Sequence, residues 1–260
     1  MHLDVPVEDA ELAADALWQA GANAVEERTG ATGRVVLLAD ADPTRVVLAS
    51  GWQLIVEEVR DEAWRDAWRA WARPSRVGRL VVQPAWQPDA PTTPGDVVIR
   101  LDPGGAFGDG RHPSTRLALA AVEAHAGRGR SVLDVGSGSG VLAVAAALLG
   151  ADPVVAVDVA PAARDATRAN AAANGVRVEV VDDVDLVTAR FDLVVANIGA
   201  ASLRALAPRL VARLTPRGVL SLSGLLETQV ADVVSAYPAL HRVDVRTEEG
   251  WAGVDLRRVS

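Results

Sequence analysis

At 260 residues, half of them apolar and under a quarter charged, the chain is long enough for one or two domains whose core needs no staples. It has no cysteine, which excludes thiol nucleophiles, thiolate metal sites and disulfide scaffolds, and all 26 of its cations are arginine, which excludes lysine Schiff bases and P-loops. The formal charge of −8, the absence of a long apolar run and an opening without signal-peptide blocks together predict a soluble, cytoplasmic protein with neither nucleic-acid nor membrane contact, and a monomer is the expectation although no motif addresses the oligomeric state.

In chain order, His2 to Val7 reads as a strand, and Glu8 to Ala20 as a helix with Leu12, Ala13, Ala16 and Leu17 at helical spacing. Ala22 to Arg28 and Arg34 to Ala39 read as strands joined by a glycine-containing hairpin loop. Asp42-Pro43 opens a short helix, and Trp52 to Glu57 is a fourth strand. This β-α-β-β-α-β order over residues 1–59 is that of a small ferredoxin-like α+β domain. Trp64, Trp68 and Trp71 then share one helix face, read as packing rather than as a ligand platform. Pro84 to Pro94 carries four prolines and reads as extended chain, so residues 60–95 are predicted to be a helical and proline-rich linker.

From residue 96 short apolar strands alternate with helices. Strands are predicted at 97–101, 131–135, 153–157, 177–181, 191–196, 219–222 and 242–246, with helices from Ser114, Val141, Pro161, Ala200 and Glu227. Such strands form a doubly wound, mostly parallel α/β sheet covered on both faces, with its ligand at their carboxyl ends.

The strongest motif is Val132-Leu-Asp-Val-Gly-Ser-Gly-Ser-Gly-Val141, a buried strand running into three glycines and then a helix. Gly136, Gly138 and Gly140 suit a sharp turn that a ligand approaches closely. Valine at position 141 breaks the dinucleotide fingerprint, and the G-x-G-x-G spacing is the one associated with S-adenosylmethionine. Asp158, at the end of the next strand, can accept hydrogen bonds from ribose hydroxyls, or it can cap the helix after it. Asn197 ends the apolar strand Phe191 to Ala196, where a carboxamide can aim an amine at a methyl group. The loop Leu101 to Arg116 is too glycine-rich for a strand. Its donors suit the charged end of a cofactor, and Ser114 or Thr115 can cap the following helix. His112 reads as structural, and the four histidines show no metal-ligand spacing.

Phe107-Gly-Asp-Gly-Arg-His-Pro-Ser-Thr115, Asp134-Val-Gly-Ser-Gly-Ser-Gly140, Ala196-Asn-Ile198, Ser223-Gly-Leu-Leu-Glu-Thr-Gln229 and Glu249-Gly-Trp-Ala252 follow one another in an order that resembles the PrmA family, methyltransferases of the large-subunit stalk-base protein. The resemblance spans most of the chain, including the Pro84-Ala-Trp86 signature. It implies a class I Rossmann-like seven-stranded catalytic domain over 96–260 and a substrate-docking domain over 1–59. It also implies S-adenosylmethionine as cofactor, and methylated lysine or N-terminal amines on the ribosomal protein as product. It places Phe107, Gly108, Thr115, Gly136, Gly138, Gly140, Asp158 and Asn197 against the cofactor, with Asn197 catalytic and no metal. The chain departs from the family pattern at Asp109, Arg111, Ala160, Gly199 and Ser202. A nicotinamide oxidoreductase, a methyltransferase of another substrate and a binder without turnover are the alternatives.

Overall fold

Burial alternates along Leu3–Val5 and Val35–Ala39, so one face of a small sheet turns inward. The computed structural model describes residues 1–20, 25–30, 33–39, 43–56, 73–103 and 106–258. Strands β1 (His2–Pro6), β2 (Val25–Thr29), β3 (Arg34–Ala39) and β4 (Gln53–Ile55) pair antiparallel in the order β2-β3-β1-β4. Helix α1 (Ala10–Gln19) lays Ala13 and Leu17 on that sheet, and Trp52 closes the same core while its indole N–H donates to Asp9 at 3.0 Å. This is the expected ferredoxin-like order. The expected second helix is reduced to one 3-10 turn, Pro43–Arg45. Val47 and Leu48 beyond it are exposed, so no apolar stripe holds a longer helix on the sheet. Asp42 and the tryptophan segment Trp64, Trp68 and Trp71 lie outside the described residues. By compactness the chain divides into two units, Met1–Trp71 and Ala72–Ser260.

In the second unit, β8 (Val132–Val135) and β9 (Val154–Val157) are buried along their whole length, as strands covered on both faces must be. With β10 (Glu179–Val181), β11 (Phe191–Asn197), β12 (Leu214–Leu226), β13 (Leu240–Glu248) and β14 (Trp251–Arg258) they form a seven-stranded sheet, ordered β10-β9-β8-β11-β12-β14-β13. The first five strands run parallel, and β14 is antiparallel to both its neighbours. The order reverses between β8 and β11, which makes that gap the topological switch point. Helices α2 (Pro113–His125), α3 (Val141–Leu148), α4 (Pro161–Ala173), α5 (Ala200–Ala205), α6 (Ala207–Ala212) and α7 (Val230–Ser235) cover the sheet over two apolar clusters. No described helix is long and apolar enough to cross a membrane.

Three expectations are corrected here. Val97–Leu101 (β7) does not join the large sheet: it runs parallel to β6 (Leu80–Pro84), which pairs antiparallel with β5 (Ser75–Val77). Residues 75–84 of the expected linker are therefore strands of the second unit, and the proline segment is the crossover between β6 and β7. Buried Gln83 pins that crossover, accepting from Ala90 N–H and donating to the Gln87 carbonyl. The seventh strand of the large sheet is instead β14. The single helix expected from Ala200 to Arg213 is two, because Pro208 lacks an N–H for the Arg204 carbonyl and its ring crowds the preceding turn.

One side-chain ladder positions the loop after β7. Asn174 exchanges two hydrogen bonds with the backbone of Arg100 and Asn170 exchanges two with Asp102, at 2.7–2.9 Å. Four residues apart, in the last turn of α4 and at its C-cap, the two amides imitate the edge of a strand. Asn170 also donates to the Ser139 carbonyl at 2.8 Å, which ties the loop to the glycine turn.

Candidate active site

Register brings the strand ends level. Val135 pairs with Val157 on one side and with Ala196 on the other, so Gly136, Asp158 and Asn197 are the next residues along three neighbouring strands at one edge of the sheet. Gly136, Gly138 and Gly140 all have positive φ (78°, 54° and 80°), which L side chains rarely adopt. Space restricts them too. A Cβ at Gly138 would lie 2.5 Å from the Phe107 carbonyl oxygen, and one at Gly136 would lie 2.2 Å from the Ile198 Cγ2.

Asp158 is partly buried. Its Oδ2 accepts the Gly138 N–H and its Oδ1 the Ala160 N–H, each at 2.9 Å. It is not the helix cap: Ala160 occupies that position in front of Pro161. Arg164 donates from one Nη to the carbonyls of Asp158 and Val159, which fixes the strand tip without neutralising the carboxylate.

Ser139 holds the loop against the glycine turn. Its N–H donates to the Phe107 carbonyl at 2.9 Å and its hydroxyl to the Gly108 carbonyl at 2.7 Å. Asp109 accepts the Arg111 N–H at 2.9 Å, an i+2 side-chain-to-backbone bond that fixes the local turn.

Neither Ser114 nor Thr115 caps α2. His112 does: its Nδ1 accepts the Ser114 N–H at 3.3 Å and lies 2.8 Å from the Ser114 hydroxyl, with Pro113 in the first turn. The imidazole sits between Phe107 and Trp251, with ring centroids 5.4 and 4.6 Å away in edge-on geometry. Burial lowers the His112 pKa against the opposing charges of Asp109 and Glu249, which keeps Nδ1 free to accept. A histidine whose folded pKa is depressed contributes fully above its ordinary value of 6.5, and that stability is lost as pH falls toward the folded value. His112→Ala is therefore expected to cost about 1 kcal/mol near neutral pH, with the difference from wild type shrinking in acid. Denaturant unfolding across a pH series measures it.

Asn197 and Thr115 meet at this edge. The Asn197 Nδ2 donates to the Thr115 hydroxyl at 3.3 Å, and Thr115 is fully buried. The Asn197 Oδ1 is buried without a partner. Unpaired buried acceptors are costly and uncommon, so this atom marks a place where a donor is expected from outside the chain.

Sequence reasoning named the glycines, Asp158, Asn197 and the loop, and all of these lie at the one edge or are bonded to it. It missed Ser139, Ile198 and Asn170, and it did not see Trp251 beside His112. Spacing was the available signal for Asn170, four residues before Asn174 on a helix whose other face is exposed. It also passed over Asp134, which is fully buried, with one oxygen accepting the Ala143 N–H at 3.1 Å and the other unpartnered. Burial, opposed by that hydrogen bond and reinforced by Asp158, pushes the Asp134 pKa up to about 7.

Residues 7–259 match the family described as Ribosomal protein L11 methyltransferase (PrmA). A protein of that name from Geobacter sulfurreducens is 48% identical over 198 residues, 75% of this chain and 66% of that relative. Another, from Sorangium cellulosum, is 40% identical over 281 aligned residues, 98% of this chain and 89% of that protein. The crystal structure of a ribosomal protein L11 methylase from Lactobacillus delbrueckii subsp. bulgaricus superposes with a TM-score of 0.68 at 33% identity, over 72% of this chain and 99% of that one.

Proposed function

Since this chain belongs to the PrmA family of ribosomal protein L11 methyltransferases, we propose that it transfers methyl groups from S-adenosylmethionine to amino groups, lysine side chains or the N-terminus, of ribosomal protein L11. The observation that supports this most directly is the unpartnered Asn197 Oδ1, buried at a strand edge shared with three glycines and a carboxylate.

The residues present fit the cofactor. Gly136, Gly138 and Gly140 carry no Cβ, which lets Ile198, the Phe107 loop and Thr167 close on the turn and leaves its backbone at the strand edge. Each Asp158 oxygen accepts one N–H and keeps a lone pair for a ribose hydroxyl. Phe107 and Gly108, stitched to Ser139, close the loop side. When bound, S-adenosylmethionine supplies a methyl group on a sulfonium, displaced in line with little need for acid–base help.

What remains for the protein is aim and exclusion of water. Thr115 holds the Asn197 amide so that Oδ1 stays available, and Oδ1 accepts an N–H of the incoming neutral amine, turning its lone pair toward the methyl group. Phe107, His112 and Trp251 supply apolar surface beside that path. The N-terminal unit is the docking element for the ribosomal protein, and the enzyme works as a cytoplasmic monomer whose methyl transfer needs no nucleic-acid contact. Incubation of the protein with labelled S-adenosylmethionine and undermethylated large subunits, followed by mass spectrometry, tests the proposal. Label on L11 amines is expected; label on another protein, or none, overturns it.

Asp158→Ala is expected to weaken binding of S-adenosylhomocysteine by about 1–3 kcal/mol, roughly 5- to 150-fold, through loss of the hydroxyl contacts. Calorimetry measures it, and an unchanged affinity removes Asp158 from the site.

A further inference from the structure

The charge of −8, on which the expectation of no nucleic-acid contact rests, is not spread evenly over the chain. Residues 1–71 carry 14 acidic residues and six arginines, whereas residues 72–260 carry 20 of each, so the second unit is neutral as a whole. Within that unit the charges are sorted again. The arginine side chains with neither an ion pair nor a hydrogen bond among the described residues collect at the edge of the large sheet opposite the glycine turn. Arg128 and Arg130 precede β8 and Arg190 precedes β11, while Arg217 and Arg242 lie near the starts of β12 and β13 and Arg257 near the end of antiparallel β14. All six are exposed. Register keeps them level, since Val219 pairs with both Leu193 and Arg257, and Arg257 with His241. Arg177 enters β10 at the same edge, but exposed Glu179 two residues on offsets it. Elsewhere each described arginine side chain meets a partner, as Arg76 meets Asp96, Arg204 Asp232 and Arg209 Asp185.

Local structure does not account for the cluster. Arg213 and Arg258 at this edge are spent on the carbonyls of Val184 and Val211, whereas the six donate to none. Of the acids close by, Asp192 is already hydrogen-bonded to Ser131, and Asp152 is the exposed exception. Guanidinium groups from neighbouring strands, about 4.8 Å apart, make a row across the sheet rather than a point. A row suits a chain of phosphates, each met by two parallel hydrogen bonds, better than it suits one small anion. Basic faces that lie on membranes set bulky apolar side chains among the cations. Of the residues flanking the six in sequence, Val243 alone is an exposed large apolar one. Resting on the ribosomal reading above, we infer that this edge binds the phosphate backbone of RNA. It lies at the other end of the strands from the glycine turn, so RNA can be held there while the methyl-transfer edge stays open to an amine. The contact tethers the enzyme to the ribonucleoprotein to which its substrate belongs, and phosphate contacts make it indifferent to base sequence.

Fluorescence anisotropy of the full chain with a labelled, unstructured RNA of about 20 nucleotides tests this, over a salt series from about 50 to about 300 mM. Each phosphate contact contributes about 0.7 to the slope of log affinity against log salt for a single strand. Wild type is expected to show a slope of about −3 to −4, and the triple variant Arg130→Gln, Arg190→Gln, Arg217→Gln to lose about 2 of it, with affinity at about 100 mM salt falling at least tenfold. Arg204→Gln with Arg209→Gln removes two surface cations elsewhere and is expected to change the slope by less than about 0.5. Methyl transfer from labelled S-adenosylmethionine to free L11, measured on the same preparations, is expected to be equal in all three proteins. No RNA binding at the lowest salt, or a slope that the triple variant shares with wild type, overturns the inference. Binding to phosphatidylserine vesicles and not to RNA overturns it as well. If free L11 is labelled while RNA is not bound, this inference fails and the methyltransferase reading stands. If RNA is bound as expected and no ribosomal protein is labelled, the surface stands and the substrate reading falls.

Discussion

Asn197→Ala is expected to lower kcat by about 10²–10³-fold while changing the Kd for S-adenosylhomocysteine by less than about threefold. The separation follows from where the side chain lies. Its Nδ2 is spent on Thr115, and its Oδ1 has no hydrogen-bond partner in the protein, so alanine removes an acceptor for the substrate amine and leaves the hydrogen bonds of the glycine turn and Asp158 untouched. An interaction needed mainly as the amine is aimed at the methyl carbon appears in kcat rather than in cofactor binding. Asn197→Asp tests the same geometry from the other side: it keeps an oxygen acceptor but adds a charge that favours the protonated, unreactive amine. Its activity should recover partly as pH rises, whereas the alanine variant should not gain relative to wild type. Equal loss of turnover and cofactor affinity in the alanine variant would make Asn197 a binding residue only. Single-turnover rates and calorimetry on the same preparations distinguish these outcomes.

What could be read in the sequence was whatever depends on local physics. The glycine turn announces itself because a sharp bend after a buried strand admits no Cβ, and Asp158 because a carboxylate that ends an apolar strand needs a reason to be there. The strand order of the small domain followed from element order, since a split β-α-β unit has few ways to close. Errors arose where pairing is non-local. Val97–Leu101 has the composition of a central strand, and nothing within it says that its partner is Leu80–Pro84 rather than Val132–Val135. Trp251–Arg258 went unread as a strand because Gly253 and Asp255 interrupt its apolar pattern. Asp255 is tolerated there because Arg246 on β13 pairs with both its oxygens and His125 on α2 lies 2.8 Å away, interactions that hold its pKa down at about 2 despite burial. The capping histidine and the orphaned Asp134 oxygen were out of reach for a related reason. Both are defined by what surrounds them in space, and neither is marked by its neighbours in the chain.

The second large effect is expected at Gly138. Alanine there must hold a φ of 54°, a left-handed conformation that costs an L residue about 1–2 kcal/mol. The new methyl group would also sit 2.5 Å from the Phe107 carbonyl oxygen, a backbone atom that cannot rotate away. Relief requires the loop to withdraw, which strains the Ser139 N–H bond to Phe107 and the Ser139 hydroxyl bond to Gly108. It also shifts the Gly138 N–H away from Asp158, freeing the carboxylate that is proposed to hold the ribose. Gly138→Ala should thus lose about 2–4 kcal/mol of stability, within the range for strained or overpacked sites, and weaken S-adenosylhomocysteine binding by more than about tenfold. Ser139→Ala separates the two consequences. It removes the hydroxyl bond to Gly108 without strain in the turn, so it should loosen the loop and cost about 1 kcal/mol while cofactor affinity falls much less. Thermal unfolding with and without S-adenosylhomocysteine reads both quantities from one set of samples. If Gly138→Ala unfolds and binds like wild type, the loop does not rest on the turn, and the closed arrangement of Phe107, Gly108 and Ser139 is not the one that receives the cofactor.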